Sequence, residues 1–204
     1  MTRRVLIAVL VLGLTCPAWS TIVTPTIENP DFEMPGFDTT SWENVPGWNS
    51  DTPAINSGVK SESSSTEGPW TGYLYNGDPS VFNLTNYIVE HDNEFIMQIN
   101  ARNASTENPS AILNINLFID VYGERVTITS KTVDVTDIWT TFSIEYYADT
   151  LPAVYNKIGI ELANVTPGND SFIDFDNVRF VPEPSTITLL CLGSLVLLKS
   201  RKYK

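Results

Sequence analysis

The chain has 204 residues, with 24 Asp and Glu against 12 Lys and Arg, for a net charge of −12 and a pI near 4.3. A chain this acidic is repelled by phosphate backbones and anionic headgroups, which excludes nucleic acid as a partner. A single histidine excludes a multi-histidine metal centre, and both cysteines, Cys16 and Cys191, fall in apolar terminal segments, so the middle of the chain has no disulfide.

In chain order, Arg3 and Arg4 precede the apolar run 5–14, and Ala18-Trp19-Ser20 then offers small residues at −3 and −1. That pattern predicts a secretory signal peptide over 1–20, cut after Ser20. A lipoprotein cut at Cys16 fits less well, because Leu14-Thr15 supplies no small residue before it. Residues 21–181 are then the exported part, a size suited to one domain. Its six basic residues (Lys60, Arg102, Arg125, Lys131, Lys157, Arg179) face 23 acids, a net of −17. That charge suits neutral sugars and divalent cations as ligands.

The exported part reads as strands. From Leu113 to Val121 the odd positions Leu113, Ile115, Leu117, Ile119 and Val121 are apolar, while Asn114, Asn116 and Asp120 lie between them. Period two predicts a strand with one buried face. Gly123-Glu124 predicts a turn, and Val126-Thr127-Ile128-Thr129 resumes the β pattern. Phe142, Ile144 and Tyr146 alternate with polar residues, as do Ile158, Ile160 and Leu162, and Val178 and Phe180 end the last strand. Turn signals at Asn76-Gly77-Asp78-Pro79, Asn108-Pro109 and Pro167-Gly168-Asn169-Asp170 separate the runs. Segment 57–68, rich in Ser, Glu and Gly, predicts a loop, and 36–53 an ordered loop carrying Trp42 and Trp48. Many short strands without a long amphipathic helix predict an all-β antiparallel sandwich or barrel.

The chain closes on Val181-Pro182-Glu183-Pro184-Ser185-Thr186, the apolar run 185–198, and Lys199, Arg201, Lys202 and Lys204. As a helix the 14-residue run is about 21 Å long, short of a ~30 Å hydrocarbon core, so it spans only with snorkelling lysines and local thinning. The basic end places the C-terminus in the cytoplasm. Segment 182–204 resembles the PEP-CTERM sorting signal of Gram-negative bacteria. The resemblance implies export, transient anchoring in the inner membrane, processing by the membrane peptidase exosortase at Pro182, Glu183 and Pro184, and a place at the cell surface or among biofilm exopolysaccharide.

A second resemblance runs through the exported part. Asn29-Pro30-Asp31-Phe32-Glu33, Val45-Pro46-Gly47-Trp48, Gly72-Tyr73-Leu74-Tyr75-Asn76-Gly77, Trp139-Thr140 and Asp176-Asn177-Val178-Arg179-Phe180 occur in the order found in galactose-binding-like jelly rolls, including carbohydrate-binding modules. It implies a single jelly-roll β-sandwich over 21–181.

Period two puts Asp176 on the face of Val178 and Phe180, where an unpartnered carboxylate is costly. Glu33 can share a cation with it, and hard oxygens without imidazole or thiolate point to Ca²⁺. The resemblance places a structural calcium there, with Glu33 and Asp176 as ligands; Asp174 is a weaker candidate. The alternatives for Asp176 are a turn cap or a pair with Arg179 or Lys157. Glycans stack on aromatic faces, for which Trp42, Trp70 and Tyr73 are the candidates, whereas Trp48 is assigned to packing. His91, between Glu90 and Asp92, reads as a solvated loop residue. No nucleophile or metalloprotease motif is present, so no catalytic residue is assigned. The expected function is non-catalytic, calcium-stabilised contact with glycans; the alternatives are a cyclase or glycoside hydrolase on the same fold, and a purely structural matrix protein.

Overall fold

In a computed structural model of the chain, residues 21–51, 56–66, 68–76, 80–106, 110–149, 156–168 and 170–181 are described. The signal peptide expected over 1–20, the motif at 182–184 and the apolar run 185–198 lie outside them. Among the described residues no helix is long and apolar enough to cross a membrane.

The described residues form eleven strands: β1 (Thr21–Ile22), β2 (Trp48–Ser50), β3 (Gly58–Ser61), β4 (Trp70–Tyr75), β5 (Val81–Ile88), β6 (Asn93–Asn103), β7 (Ala111–Val121), β8 (Glu124–Val135), β9 (Thr140–Tyr147), β10 (Lys157–Asn164) and β11 (Phe172–Val181). They form two sheets. In sheet A, β6 lies beside β11, followed by β4 and β3, with β1 and β9 also paired to β6; sheet B runs β2-β5-β10-β7-β8. Every pairing is antiparallel except that of β1 with β6. This is the jelly-roll sandwich that the strand pattern and the resemblance led us to expect.

Ile115, Leu117, Ile158, Ile160 and Leu162 of sheet B, all fully buried, face Ile99, Ala101, Ile173 and Phe175 of sheet A. Each large side chain buried in this way contributes about 1.5–3 kcal/mol. The β7–β8 hairpin turns at Tyr122 and Gly123, both with positive φ (56° and 89°), one residue earlier than expected. That conformation matches the twist of the strands it joins.

Two sequence expectations need correction. Segment 57–68 is not all loop, since β3 occupies its first half, with Val59 fully buried opposite Gly72. An edge strand with one inward residue leaves no alternation to read. Asp176 also does not share a face with Val178 and Phe180. A bulge between Asp176 and Arg179, with Asn177 at φ 53°, shifts the register. Phe175, Val178 and Phe180 therefore point into the core, while Asp174 and Asp176 lie on the outer face of sheet A.

Candidate functional site

The aromatic candidates fall mainly in the core. Trp42 is 1% exposed and sits among Phe32, Trp48 and Phe175, with ring centroids 5.9–6.3 Å away. Trp48 packs in the same cluster as expected and donates its indole N–H to the Asn29 carbonyl at 3.0 Å. Tyr73 is 8% exposed and lies between Phe172 and the Lys60 ammonium, its hydroxyl 3.3 Å from the Thr39 carbonyl. Trp70 is half-buried against the core. Neither Trp42 nor Tyr73 offers a free ring face, and the three do not converge on one surface. Polar neighbours in sequence hid this, because a tryptophan amid turn residues still packs inward when the turns close over the core. His91 is exposed and pairs with Asp92 at 2.9 Å.

The loop joining β3 to β4 covers the part of the outer face of sheet A around Asp174 and Asp176. Asp174, fully buried, is held by the Lys60 ammonium at 2.7 Å and the Arg102 guanidinium at 3.0 Å. Arg102 also grips Glu62 and Ser64 of the loop and lies 5.1 Å from the centre of the Trp139 ring. Hydrogen bonding and these cations hold the Glu62 carboxyl below its ordinary value against the opposing effect of burial, which is the largest single influence on it.

One turn away, the same loop covers the carboxylate pair. Asp176 accepts the Thr66 N–H at 3.0 Å, the Thr66 hydroxyl at 2.8 Å and the Asn177 N–H at 2.7 Å, rather than pairing with Arg179 or Lys157. Glu33 accepts the Trp70 N–H at 3.3 Å, and its carboxylate fills the space a Cβ on Gly68 would need. Burial pushes the Glu33 carboxyl up, the Trp70 N–H partly offsets this, and the charges of Asp31 and Asp176 add to the rise. Among the described residues no group of three or more His, Cys, Asp and Glu side chains is arranged to hold a metal ion. Two neighbouring carboxylates that repel each other, one of them buried, nonetheless fit a hard cation in donor chemistry.

The raised Glu33 value has a definite sign. Its charge opposes folding, with the penalty complete above the raised folded value and absent below the ordinary value of 4.5. In chelator, the stability of the parent relative to Glu33→Gln should therefore rise as pH falls from 7 towards 4.5. Urea unfolding of both proteins across that range checks it, and a flat or falling difference contradicts it.

On the outer face of sheet B, Ser130 and Thr132 are exposed, Asn114, Glu161 and Arg125 are half-buried, and Asn116 and Phe118 are buried. Side chains of this face form a polar ladder across β8, β7 and β10 that ends at Ser80, just before β5. Ser130 and Thr132 of β8 donate to Asn114 Oδ1, Asn114 donates to Asn116, Asn116 donates to Glu161 of β10 at 2.9 Å, and Ser80 donates to Glu161 at 2.6 Å. At one end the Arg125 guanidinium lies 3.9 Å from the centre of the Phe82 ring and pairs with Asp51 and Glu161. Phe118 meets Phe82 edge-on and rests over Gly159, where a Cβ would collide with its ring at 2.2 Å. Asp51, Gly123, Glu124, Arg125, Thr127 and Glu161 line a cavity of about 480 Å³ beside this cluster. This face is not legible in the sequence. Its only signal was the spacing of Asn114 and Asn116 on the polar side of one strand, and their partners lie far away in sequence.

This architecture is that of the carbohydrate-binding-module jelly rolls. It is similar to a CBM4 structure, with a TM-score of 0.50 and 16% identity over 78% of this chain and 100% of that one. A cyclase from Fischerella sp. TAU in complex with 4-(1H-indol-3-yl)butan-2-one matches with a TM-score of 0.64 and 20% identity, covering 79% and 98%. An arabinose-bound GH51 α-L-arabinofuranosidase matches with a TM-score of 0.55 and 14% identity over 81% of this chain and 27% of that one. Identities this low establish the fold alone. At the C-terminus, residues 180–202 match the PEP-CTERM protein-sorting motif, so the chain carries the address of an exported protein anchored transiently at the membrane. No curated protein matches the sequence.

Proposed function

We propose that this is a non-catalytic exported protein, processed by exosortase and delivered to the cell surface or extracellular matrix, where the outer face of sheet B contacts neutral glycans or exopolysaccharide. The observation that carries the reading is the contrast between two polar clusters: Asp174 and Asp176 on sheet A are covered by the β3–β4 loop, while the ladder on sheet B ends in exposed Ser130 and Thr132 and half-buried Asn114, Glu161 and Arg125. Amides, hydroxyls and a carboxylate in a row match the alternating donors and acceptors of sugar hydroxyls, and the Phe82–Arg125 stack offers an apolar shoulder. Calcium between Glu33 and Asp176 would act as a structural tie, joining the loop after Pro30 to the last strand.

The cyclase or hydrolase reading calls for a carboxyl poised in an apolar pocket. Among the described residues the two fully buried acids, Asp174 and Asp176, are each engaged by cations or by N–H and O–H donors, which supports binding over catalysis. Affinity electrophoresis of residues 21–181 in gels containing neutral polysaccharides tests the reading. Retardation should fall about tenfold in Asn116→Ala, the equivalent of one lost hydrogen-bonding side chain, and stay unchanged in Arg179→Ala on the opposite sheet. Equal retardation of the two variants contradicts it.

Sorting has its own test. Replacing Pro182, Glu183 and Pro184 by alanine should leave export intact and trap the chain unprocessed in the inner membrane, because the signal peptide suffices for secretion. Trimming and release like the parent in a cell-fractionation assay would show that the motif is not the recognition element.

A further inference from the structure

β6 has β9 along one side, from Glu94 to Ala101, and two different strands along the other. On that second side β11 runs down to Val181 opposite Ile96, and β1 fills the adjoining positions, with Thr21 opposite Asn93 and Ile22 opposite Glu94. Val23 then donates its N–H to the Glu94 carbonyl at 3.1 Å. β1 thus occupies the β6 edge at Glu94 and Asn93, which leaves β11 no room along β6 beyond the position opposite Phe95. The end of β11 is itself pinned. Phe180 is 6% exposed and meets the Phe95 ring edge-on at 6.0 Å, opposite Met97 in the ladder.

Only Pro182, Glu183 and Pro184 separate this pinned end from the apolar run at 185. Fully extended, three residues reach about 10 Å. A peptidase that takes the motif as an extended segment must also accommodate residues on either side of it. Downstream they belong to the apolar run, and upstream they are locked in sheet A. We propose that the end of β11 brakes processing of the motif: Phe180 and Val181 are positioning residues, and their peeling from Met97 and Ile96 limits the rate at which the folded chain is cut. Docking of β11 and cleavage after export then compete, and a chain that folds before it meets the peptidase is processed slowly. This inference rests on the reading that the motif is processed.

Pulse-chase of the full chain in cells carrying the sorting peptidase tests it. Inserting a flexible spacer of about six residues between Val181 and Pro182 supplies slack without touching the sheet and should speed trimming roughly tenfold, the factor set by no longer exposing one large buried side chain. Phe180→Ala should also speed trimming, while Phe180→Leu, which keeps an apolar plug, should behave as the parent. An unchanged or slower rate in the spacer variant, with trimming abolished when 182–184 are alanine, overturns the brake and leaves the sorting reading standing. Trimming of the alanine variant at the parent rate overturns both.

Discussion

Trp42→Ala is expected to lower the stability of the exported domain by about 3–5 kcal/mol, because it empties the centre of the Phe32–Trp48–Phe175 cluster. At ~2–4 °C per kcal/mol for a domain of this size, the melting point should fall by roughly 10 °C. A tryptophan serving as an exposed sugar platform would change stability by only a few tenths of a kcal/mol, within about ±0.5. Trp42→Phe sharpens the test. The Trp42 indole N–H is buried without a hydrogen-bond partner among the described residues, so phenylalanine keeps the ring and removes an unmet donor. It should cost far less than alanine in thermal unfolding. Equal losses for the two variants would mean that the indole makes a contact of its own.

Calcium should produce the other large effect. Ligand linkage contributes about 2.7 kcal/mol at ~100 times the dissociation constant, a melting-point rise of roughly 5–11 °C. The domain has no disulfide, and a cation would offset what holds the Glu33 carboxyl up, first its burial and then the charges of Asp31 and Asp176. In chelator Asp176→Asn should be close to neutral, since it removes a repelling charge but gives up part of the bonding to Thr66. In millimolar calcium it should lose the rise that the parent gains. Equal melting points for the parent in EGTA and calcium exclude the site; a rise that persists in Asp176→Asn moves it elsewhere.

How much of this was legible in the sequence depends on how local the determining interaction is. The strands with one buried face were plain, because alternation in β7, β9 and β10 is written over eight or more consecutive residues. The bulge was not, since a single left-handed residue, Asn177, reverses the face of everything before it without altering the composition. Asp176 lies near enough to Glu33 to act on its charge, but it faces outward beneath a loop, not inward as alternation alone implied. Trp42 and Tyr73 were misplaced because burial of an aromatic is decided by what folds over it, here Phe32 and Phe172, each from a distant segment. The ladder on sheet B was invisible for the same reason, as Glu161 reaches Asn116 only when β10 and β7 lie side by side.

Glycan contact at the outer face of sheet B can be read by titrating the isotopically labelled domain with neutral oligosaccharides and mapping amide and side-chain shifts by NMR. Perturbations should concentrate at Phe82, Asn114, Asn116, Arg125, Ser130 and Glu161. Perturbations clustered instead around Lys60, Tyr73 and Arg102 on sheet A, or none with any oligosaccharide, would contradict it.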